Sequence, residues 1–153
     1  MNERIDITID TREQTPWAFD PQYATCRIGT LKTADYALTG DTGFGIERKT
    51  LDDFLGTVSS GWGRFQREIE RMETWPAKVI IVEGDFEDVC FREWNGEIIA
   101  PDHNHPQLTP QFVTKRIAEL TMRGVSVLFA KNADYAAALA LQIFRERNNT
   151  RNV

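Results

Sequence analysis

The segment "FGIERKTLDD", residues 44–53, joins a predicted strand to a predicted helix and gathers charged side chains at their junction. Because side chains alternate along a strand, Glu47 and Lys49 are expected on one face, and Ile46 and Arg48 on the other. A carboxylate and an ammonium on one face suit metal-assisted hydrolysis of a phosphodiester. The carboxylate would hold a divalent ion, and the lysine would orient water or stabilise charge on the phosphate.

The start of the helix favours a plainer interpretation. Thr50, with Asp53 three residues later, resembles a capping box, and the helix dipole favours Asp52 and Asp53 in a first turn. Charged strand ends and capped helix starts are common on protein surfaces. On spacing alone, the segment is more often a solvated surface than half of an active site.

Outward from this segment, hydrophobic periodicity predicts alternating strands and helices. Strands are predicted at residues 3–9, 24–30, 34–39, 44–49, 77–84 and 125–130, and helices from residue 50 and over 63–74, 111–124 and 133–147. Residues 86–94 are expected to form a short helix, and residues 95–110 a long loop. This order predicts an α/β fold with a mixed sheet and helices covering both faces.

Composition restricts the class of protein. The 153 residues, 41% hydrophobic and 27% charged, fit a single globular domain over residues 1–150. The net charge of −5 argues against a polycation but allows a local basic groove. The first residues lack a signal-peptide pattern, and no apolar run approaches the roughly 20 residues that span a bilayer. We therefore expect a cytoplasmic protein without a membrane partner.

Two further carboxylates are candidates for a metal site with Glu47. Mg²⁺ takes more oxygen ligands than one glutamate supplies. Asp35 lies at the start of the strand that precedes the "GDTG" turn and is placed to be a second ligand. Asp10, at the end of the first strand, could be a third, and Asp53 lies just past the same edge.

Five sequence segments resemble a known family. They are "IDTRE" at 9–13, "ADY" at 34–36, "ERKTLDD" at 47–53, "GRFQREIERM" at 63–72 and "VIIVEG" at 79–84. In this order and spacing they resemble the ERCC4-type nuclease domain of the XPF and Mus81 structure-specific endonucleases. The stretch over 125–147 is also similar to the last strand and helix of that family. One departure is Ala34, where the family usually has glycine.

The resemblance implies a restriction-endonuclease-like fold and a set of catalytic residues, comprising Asp10, Asp35, Glu47, Arg48, Lys49 and Asp53. Asp35 and Glu47 would bind Mg²⁺ with help from Asp10, and Mn²⁺ could substitute for it. Lys49 would be the catalytic lysine, and Arg48 would support the site or contact phosphate. Asp52 is an additional acid beside the motif.

DNA contacts are expected from residues near these segments, namely Arg12, Arg64, Gln66 and Arg67. Arg64 and Gln66 lie in the segment that resembles the family's "GR…Q" motif. For Arg67 and Arg71, ion pairs with the interleaved glutamates fit the pattern equally well. Arg12 could grip a phosphate, and Glu13 could bind metal or hold Arg12.

Histidines and tryptophans offer weaker signals. His103 and His105 in "DHNHP" suggest a histidine-based nuclease site, but no strand–helix pattern surrounds them, so a structural loop is favoured. The four tryptophans are expected to be core or partly buried anchors rather than base-stacking platforms, and they are Trp17, Trp62, Trp75 and Trp94.

The predicted function is a metal-dependent DNA endonuclease. Branched, flap or junction DNA in recombination or repair is the substrate that the resemblance implies, and a phage or bacterial role fits the size. Larger family members carry a helix–hairpin–helix module. None is expected here, so a homodimer or a partner protein would supply substrate selectivity. The alternatives are a catalytically inactive DNA-binding adaptor with the same fold, or a resolvase or nickase on the same scaffold.

Overall fold

The computed structural model describes residues 3–90, 92–99, 105 and 107–151. Within these residues the strands are β1 Ile5–Asp10, β2 Ala24–Gly29, β3 Tyr36–Leu38, β4 Ile46–Thr50, β5 Lys78–Glu83, β6 Arg92–Trp94, β7 Glu97–Ile99 and β8 Val125–Phe129. The helices are α1 Leu51–Val58, α2 Trp62–Arg71, α3 Pro110–Met122 and α4 Ala133–Arg151, with a 3₁₀ turn at Phe86–Asp88. None of these helices has the length and apolar character needed to cross a bilayer.

The main sheet of the described residues is mixed, in the order β2-β1-β3-β4-β5-β8. Neighbouring strands are parallel except at β3, which runs antiparallel to both β1 and β4. Helices cover both faces of the sheet. The predicted α/β class with a mixed, helix-flanked sheet is therefore confirmed.

Each face of the sheet has its own hydrophobic core. On one face, α4 packs its Phe144 in a cluster with Ile46 and Ile81. On the other, α1, α2 and α3 pack over Ile80, with Phe65 of α2 in that cluster. Because β5 contributes to both cores, its sequence is a continuous apolar run rather than an alternating one.

The junction between β4 and α1 forms as the sequence predicts. Thr50 is the N-cap of α1, and its hydroxyl accepts a hydrogen bond from the backbone N–H of Asp53 at 3.1 Å. The side chain thus satisfies one of the free amide groups at the start of the helix. This cap fixes the direction in which the chain leaves the strand that carries Glu47 and Lys49.

The segment after β5 differs from the prediction. Of the described residues between 86 and 94, only Phe86–Asp88 are helical, and β6 then pairs with β7 in an antiparallel hairpin. Asn95 and Gly96 form the two-residue turn between them, with φ of 51° and 80°. Asn-Gly is a strong hairpin signal, since both residues tolerate positive φ. The predicted helix and the first part of the predicted loop are wrong here.

Candidate active site

Backbone hydrogen bonds bring three acidic positions to one edge of the sheet. The N–H of Asp10 donates to the carbonyl of Asp35 at 2.9 Å. The N–H of Asp35 donates to the carbonyl of Ile46 at 3.1 Å, directly before Glu47. Asp35 therefore bridges the end of β1 and the start of β4. Its position depends on β3 running antiparallel to both strands.

Asp35 and Glu47, here called the acid pair, resist ionisation. Burial raises the pKa of Glu47 to about 8, and the neighbouring charge of Asp35 adds to this increase. Burial also raises the pKa of Asp35 to about 6, although the backbone N–H of Arg48 donates to its Oδ2 at 2.8 Å. A buried carboxyl group, Glu47, and a half-buried one, Asp35, whose charges repel each other form a site that a cation would stabilise.

Lys49 supplies a positive charge beside the acid pair. Its Nζ lies 3.8 Å from Oε2 of Glu47. The ammonium lowers the pKa of both acids, but burial outweighs this effect. The contact confirms that Glu47 and Lys49 share one face of β4, as strand alternation predicts.

Asp10 lies close by, but its carboxylate is already engaged. Oδ2 accepts a hydrogen bond from Nε of Arg12 at 2.7 Å, and Oδ1 accepts one from the backbone N–H of Leu31 at 2.9 Å. Burial would raise the pKa of Asp10, but these bonds and the charge of Arg12 outweigh burial and lower it. Asp10 therefore anchors the residues around the acid pair. Arg12 lines the pocket that contains Asp35 and Glu47.

Arg48 faces away from the acid pair. Its guanidinium donates to Glu83 on β5, to Glu13 at 3.2 Å and to the carbonyl of Thr15 at 2.7 Å. It also lies 5.3 Å from the centre of the Trp17 ring. These contacts tie β4 to β5 and to the loop after β1. Of the two predicted roles of Arg48, this position fits support of the site.

The backbone conformation at Ala34 is one that glycine adopts readily, which fits the glycine that is usual at this position in the family. Ala34 has a φ of 72°, in the left-handed region that glycine adopts without strain. Gly45 faces it, and a Cβ on Gly45 would lie 2.7 Å from the Cβ of Ala34. The turn that places Asp35 therefore depends on small residues on both sides.

Helix α2 directs some of its polar residues toward the site and others away. Arg64, Glu68 and Arg71 are spaced for one helical face and line pockets beside the acid pair. Gln66 lines a separate surface pocket with residues of α3. Arg67 is exposed. Of the predicted DNA-binding residues on α2, the structure thus brings Arg64 to the site and turns Gln66 away.

The far side of the site contains residues of α1 and one histidine. Nε2 of His105 lies 2.9 Å from Oδ1 of Asp52. His105, Asp52 and Asp53 line the same pocket as Lys49. The predicted structural loop therefore contributes His105 to the edge of the site, whereas His103 lies outside the described residues.

Three adjoining pockets form a groove along α2. The α1–α2 pocket, of about 470 Å³, contains Asp53. The acid pocket, of about 250 Å³, contains the acid pair, and Lys49 and Glu68 line both of these pockets. A third pocket, of about 430 Å³, shares Lys32, Thr33 and Arg71 with the acid pocket. The acid pair therefore lies in the middle of a continuous groove.

Comparison with protein-family models identifies the family of the chain. The family model described as the ERCC4 domain matches residues 9–143, which include the acid pair, Lys49 and all of α2. The chain belongs to the ERCC4 domain family. Membership implies a family of structure-specific DNA nucleases and confirms the resemblance inferred from the five segments.

Solved structures similar to this ERCC4 domain include XPF from Aeropyrum pernix. That structure is 19% identical, with a TM-score of 0.67 over 95% of this chain and 68% of the other. A second structure of XPF from Aeropyrum pernix, in complex with DNA, is 19% identical, with a TM-score of 0.64 over 97% of this chain and 66% of the other. These likenesses establish the fold. A search of curated proteins by sequence finds no match.

Two residues of the ERCC4 domain have roles that the sequence pattern does not reveal. Glu68 lines the acid pocket, and its charge adds to the rise in the pKa of Glu47. The only sequence signal for this position was its spacing of four residues from Arg64, which places both side chains on one face of α2. Glu13 accepts hydrogen bonds from Arg48 and from the hydroxyl of Tyr36 at 2.9 Å. It therefore holds Arg48 rather than Arg12.

Proposed function

We propose that this ERCC4 domain is a metal-dependent DNA endonuclease. It would hydrolyse phosphodiester bonds in branched, flap or junction DNA during recombination or repair. The observation that supports this most strongly is the acid pair, with Glu47 buried and Asp35 half-buried beside Lys49 at the centre of a groove. A solvated strand end would leave these carboxylates exposed and ionised.

The acid pair fits a hard divalent cation. Burial raises the pKa of both carboxyl groups, the charge of Asp35 raises that of Glu47 further, and a bound cation would offset both effects. Mg²⁺ is bound through one or two carboxylates together with water and phosphate oxygens, and Mn²⁺ accepts similar ligands. Asp35 and Glu47 would hold the ion. Over the described ranges, no group of three or more acidic, histidine or cysteine side chains is arranged around a metal position.

Chemistry in the groove would divide between the ion and the protein. When bound, the ion would polarise a phosphate oxygen and lower the pKa of water. Lys49 would donate hydrogen bonds to the phosphate, where negative charge grows as the phosphorus–oxygen bond breaks, or would orient the attacking water. Exposed cations along the groove, Lys32, Arg64 and Arg71, would hold the neighbouring phosphates.

One observation favours the alternative of a non-catalytic DNA-binding adaptor. Asp10, the third acidic position, is held by Arg12 and is not open to a metal in this arrangement. An adaptor would keep the cationic groove but would not cleave. Selectivity for branched DNA, in either case, would come from a second copy of the chain or from a partner protein.

The experiment uses labelled linear duplex, flap, fork and four-way junction DNA with Mg²⁺, with Mn²⁺ and with EDTA. We expect cleavage with either metal and none with EDTA. Glu47→Gln and Lys49→Ala should each lower the rate by about 10²–10³-fold, because each removes a group that acts on the reacting phosphate. DNA binding should be largely retained in both variants.

Glu70→Gln is the matched control, because Glu70 is an exposed acid of α2 outside the groove pockets. Cleavage that survives both EDTA and the Glu47 and Lys49 variants would exclude this site. Binding to all four DNAs without cleavage of any would support the adaptor. Cleavage confined to one strand of duplex DNA would identify a nickase, and symmetrical cleavage of the four-way junction a resolvase.

A further inference from the structure

The third pocket of the groove has a different chemistry from the other two. It is lined on its apolar side by Leu31, Phe44 and Trp75, and is called here the aromatic pocket. Its volume of about 430 Å³ lies in the range of small-molecule sites. Lys32 and Arg71 belong to both the aromatic pocket and the acid pocket. A ligand in one would therefore lie next to a ligand in the other.

The aromatic rings are held in place by the core. Phe44 is buried, and its ring centre lies 6.1 Å from that of Phe144 on α4. Trp75 is half-buried, with its ring centre 6.3 Å from that of Phe44 and its plane tilted by 52°. One end of the indole packs 3.5 Å from the position of a Cβ on Gly45. Trp75 is therefore anchored at one end while it lines the pocket.

The cations at the mouth of the pocket are available for phosphates. Lys32 and Arg71 are exposed, and within the described residues neither has a carboxylate at ion-pair distance. By contrast, Arg48 and Arg147 are paired with acids. Unpaired cations beside an aromatic surface are the combination that binds single-stranded nucleic acid, since the cations hold the backbone and the ring stacks on a base.

We propose that the aromatic pocket binds an unpaired nucleobase of the strand whose phosphate lies in the acid pocket. Lys32 and Arg71 contact the phosphate between the two pockets, and the base stacks on Trp75. This inference rests on the proposed nuclease function and narrows its substrate. A base inside a paired duplex is stacked on its neighbours and does not reach the pocket, so the preferred DNA has unpaired nucleotides next to the scissile bond.

The first test uses the unaltered protein and flap DNA in which one nucleotide at a time is abasic. Affinity is measured by fluorescence anisotropy with Ca²⁺ in place of Mg²⁺. We expect an abasic nucleotide at one or two positions beside the cleaved phosphate to weaken binding by roughly 5- to 150-fold, the loss of one stacked base. Abasic nucleotides farther along the single strand should have no effect. Equal affinity for every member of the series would overturn the proposal.

The second test uses Trp75→Leu, which keeps an apolar side chain but removes the stacking surface. The matched control is Trp62→Leu, because Trp62 is also half-buried but lies outside the groove, against Arg116. Trp75→Leu should weaken binding to flap DNA by a similar factor and leave binding to duplex DNA unchanged. In this variant, the abasic nucleotide should cause no further loss. Equal losses on flap and duplex DNA, or additive effects of the two changes, would contradict the proposal.

Failure of this inference and failure of the nuclease proposal give different results. Metal-dependent cleavage with no effect of abasic nucleotides would leave a nuclease without a base pocket. A position-specific abasic effect without cleavage would leave a base pocket on a DNA-binding adaptor. Circular dichroism checks the folding of Trp75→Leu, and if that variant does not fold, the abasic series on the unaltered protein decides.

Discussion

At the scale of single residues, the raised pKa of Glu47 makes stability depend on pH. The pKa is about 8 in the folded protein and 4.5 ordinarily, so between these values the folded state binds more protons than the unfolded state. The free energy of unfolding of the metal-free protein therefore falls as the pH rises through this range. We expect Glu47→Gln to remove most of this loss, leaving the smaller part due to Asp35, and to stabilise the metal-free protein at pH 8 by on the order of a few kcal/mol.

Urea denaturation in EDTA at pH 5.5 and pH 8 measures this effect. Glu70→Gln, an exposed change on α2, serves as the control and should shift neither curve by more than about 0.5 kcal/mol. Mg²⁺ should raise the stability of the unaltered protein at pH 8 and not that of Glu47→Gln. If the difference in stability between Glu47→Gln and the unaltered protein does not grow with pH, the raised pKa does not belong to Glu47.

Asp10 allows a second residue-scale prediction. Because its oxygens accept hydrogen bonds from Arg12 and Leu31, Asp10→Asn should lower Mg²⁺ affinity by less than about tenfold. Asp35→Asn should lower it more, since Asp35 is proposed to bind the ion directly. Isothermal titration calorimetry of the two variants compares them directly. An equal loss in both would make Asp10 a metal ligand, as the family resemblance implies.

At the scale of elements, the β4–α1 junction shows what local patterns predict. Strand alternation brings Glu47 and Lys49 onto one face, and the Thr50 cap sets the start of α1. Both features can be predicted from the sequence because each depends on residues only a few positions apart. The partners of Arg48 could not be predicted in this way. Glu13 and Glu83 lie 35 residues before and after it, and only the pairing of strands brings them together. The missed β6–β7 hairpin is different, since its Asn-Gly turn was visible in the sequence.

The network around Arg48 gives a prediction about stability rather than chemistry. Arg48 is 15% exposed, and its partners Glu13 and Glu83 are 17% and 14% exposed. Arg48→Leu would leave two mostly buried carboxylates without a cation, so it should lower the free energy of unfolding by about 3–5 kcal/mol. Adding Glu13→Gln and Glu83→Gln should restore part of this loss. Urea denaturation tests both steps, and a triple variant less stable than Arg48→Leu would contradict the network.

At the scale of the whole molecule, periodicity predicts the fold class but not the order of the strands. The insertion of β3 between β1 and β4 brings Asp35 between Asp10 and Glu47, and this depends on long-range pairing. The net charge likewise does not indicate where cationic side chains cluster on the surface. The chain carries −5 overall, yet Lys32, Arg64 and Arg71 line one groove. A sum over the sequence cannot reveal such a local arrangement.

The salt dependence of DNA binding tests whether this groove is the binding surface. Each cation that neutralises a phosphate releases counterions, so Arg64→Gln and Arg71→Gln should each reduce the slope of log affinity against log salt by about 1. Arg27→Gln is the control. Arg27, on strand β2, lies 2.6 Å from the carboxylate of Asp6 on β1 and lines none of the three pockets. Anisotropy titrations between 50 and 200 mM salt, roughly the range over which such contacts weaken most visibly, give the slopes. Unchanged slopes for both groove variants, or an equal change for Arg27→Gln, would place the DNA elsewhere on the molecule.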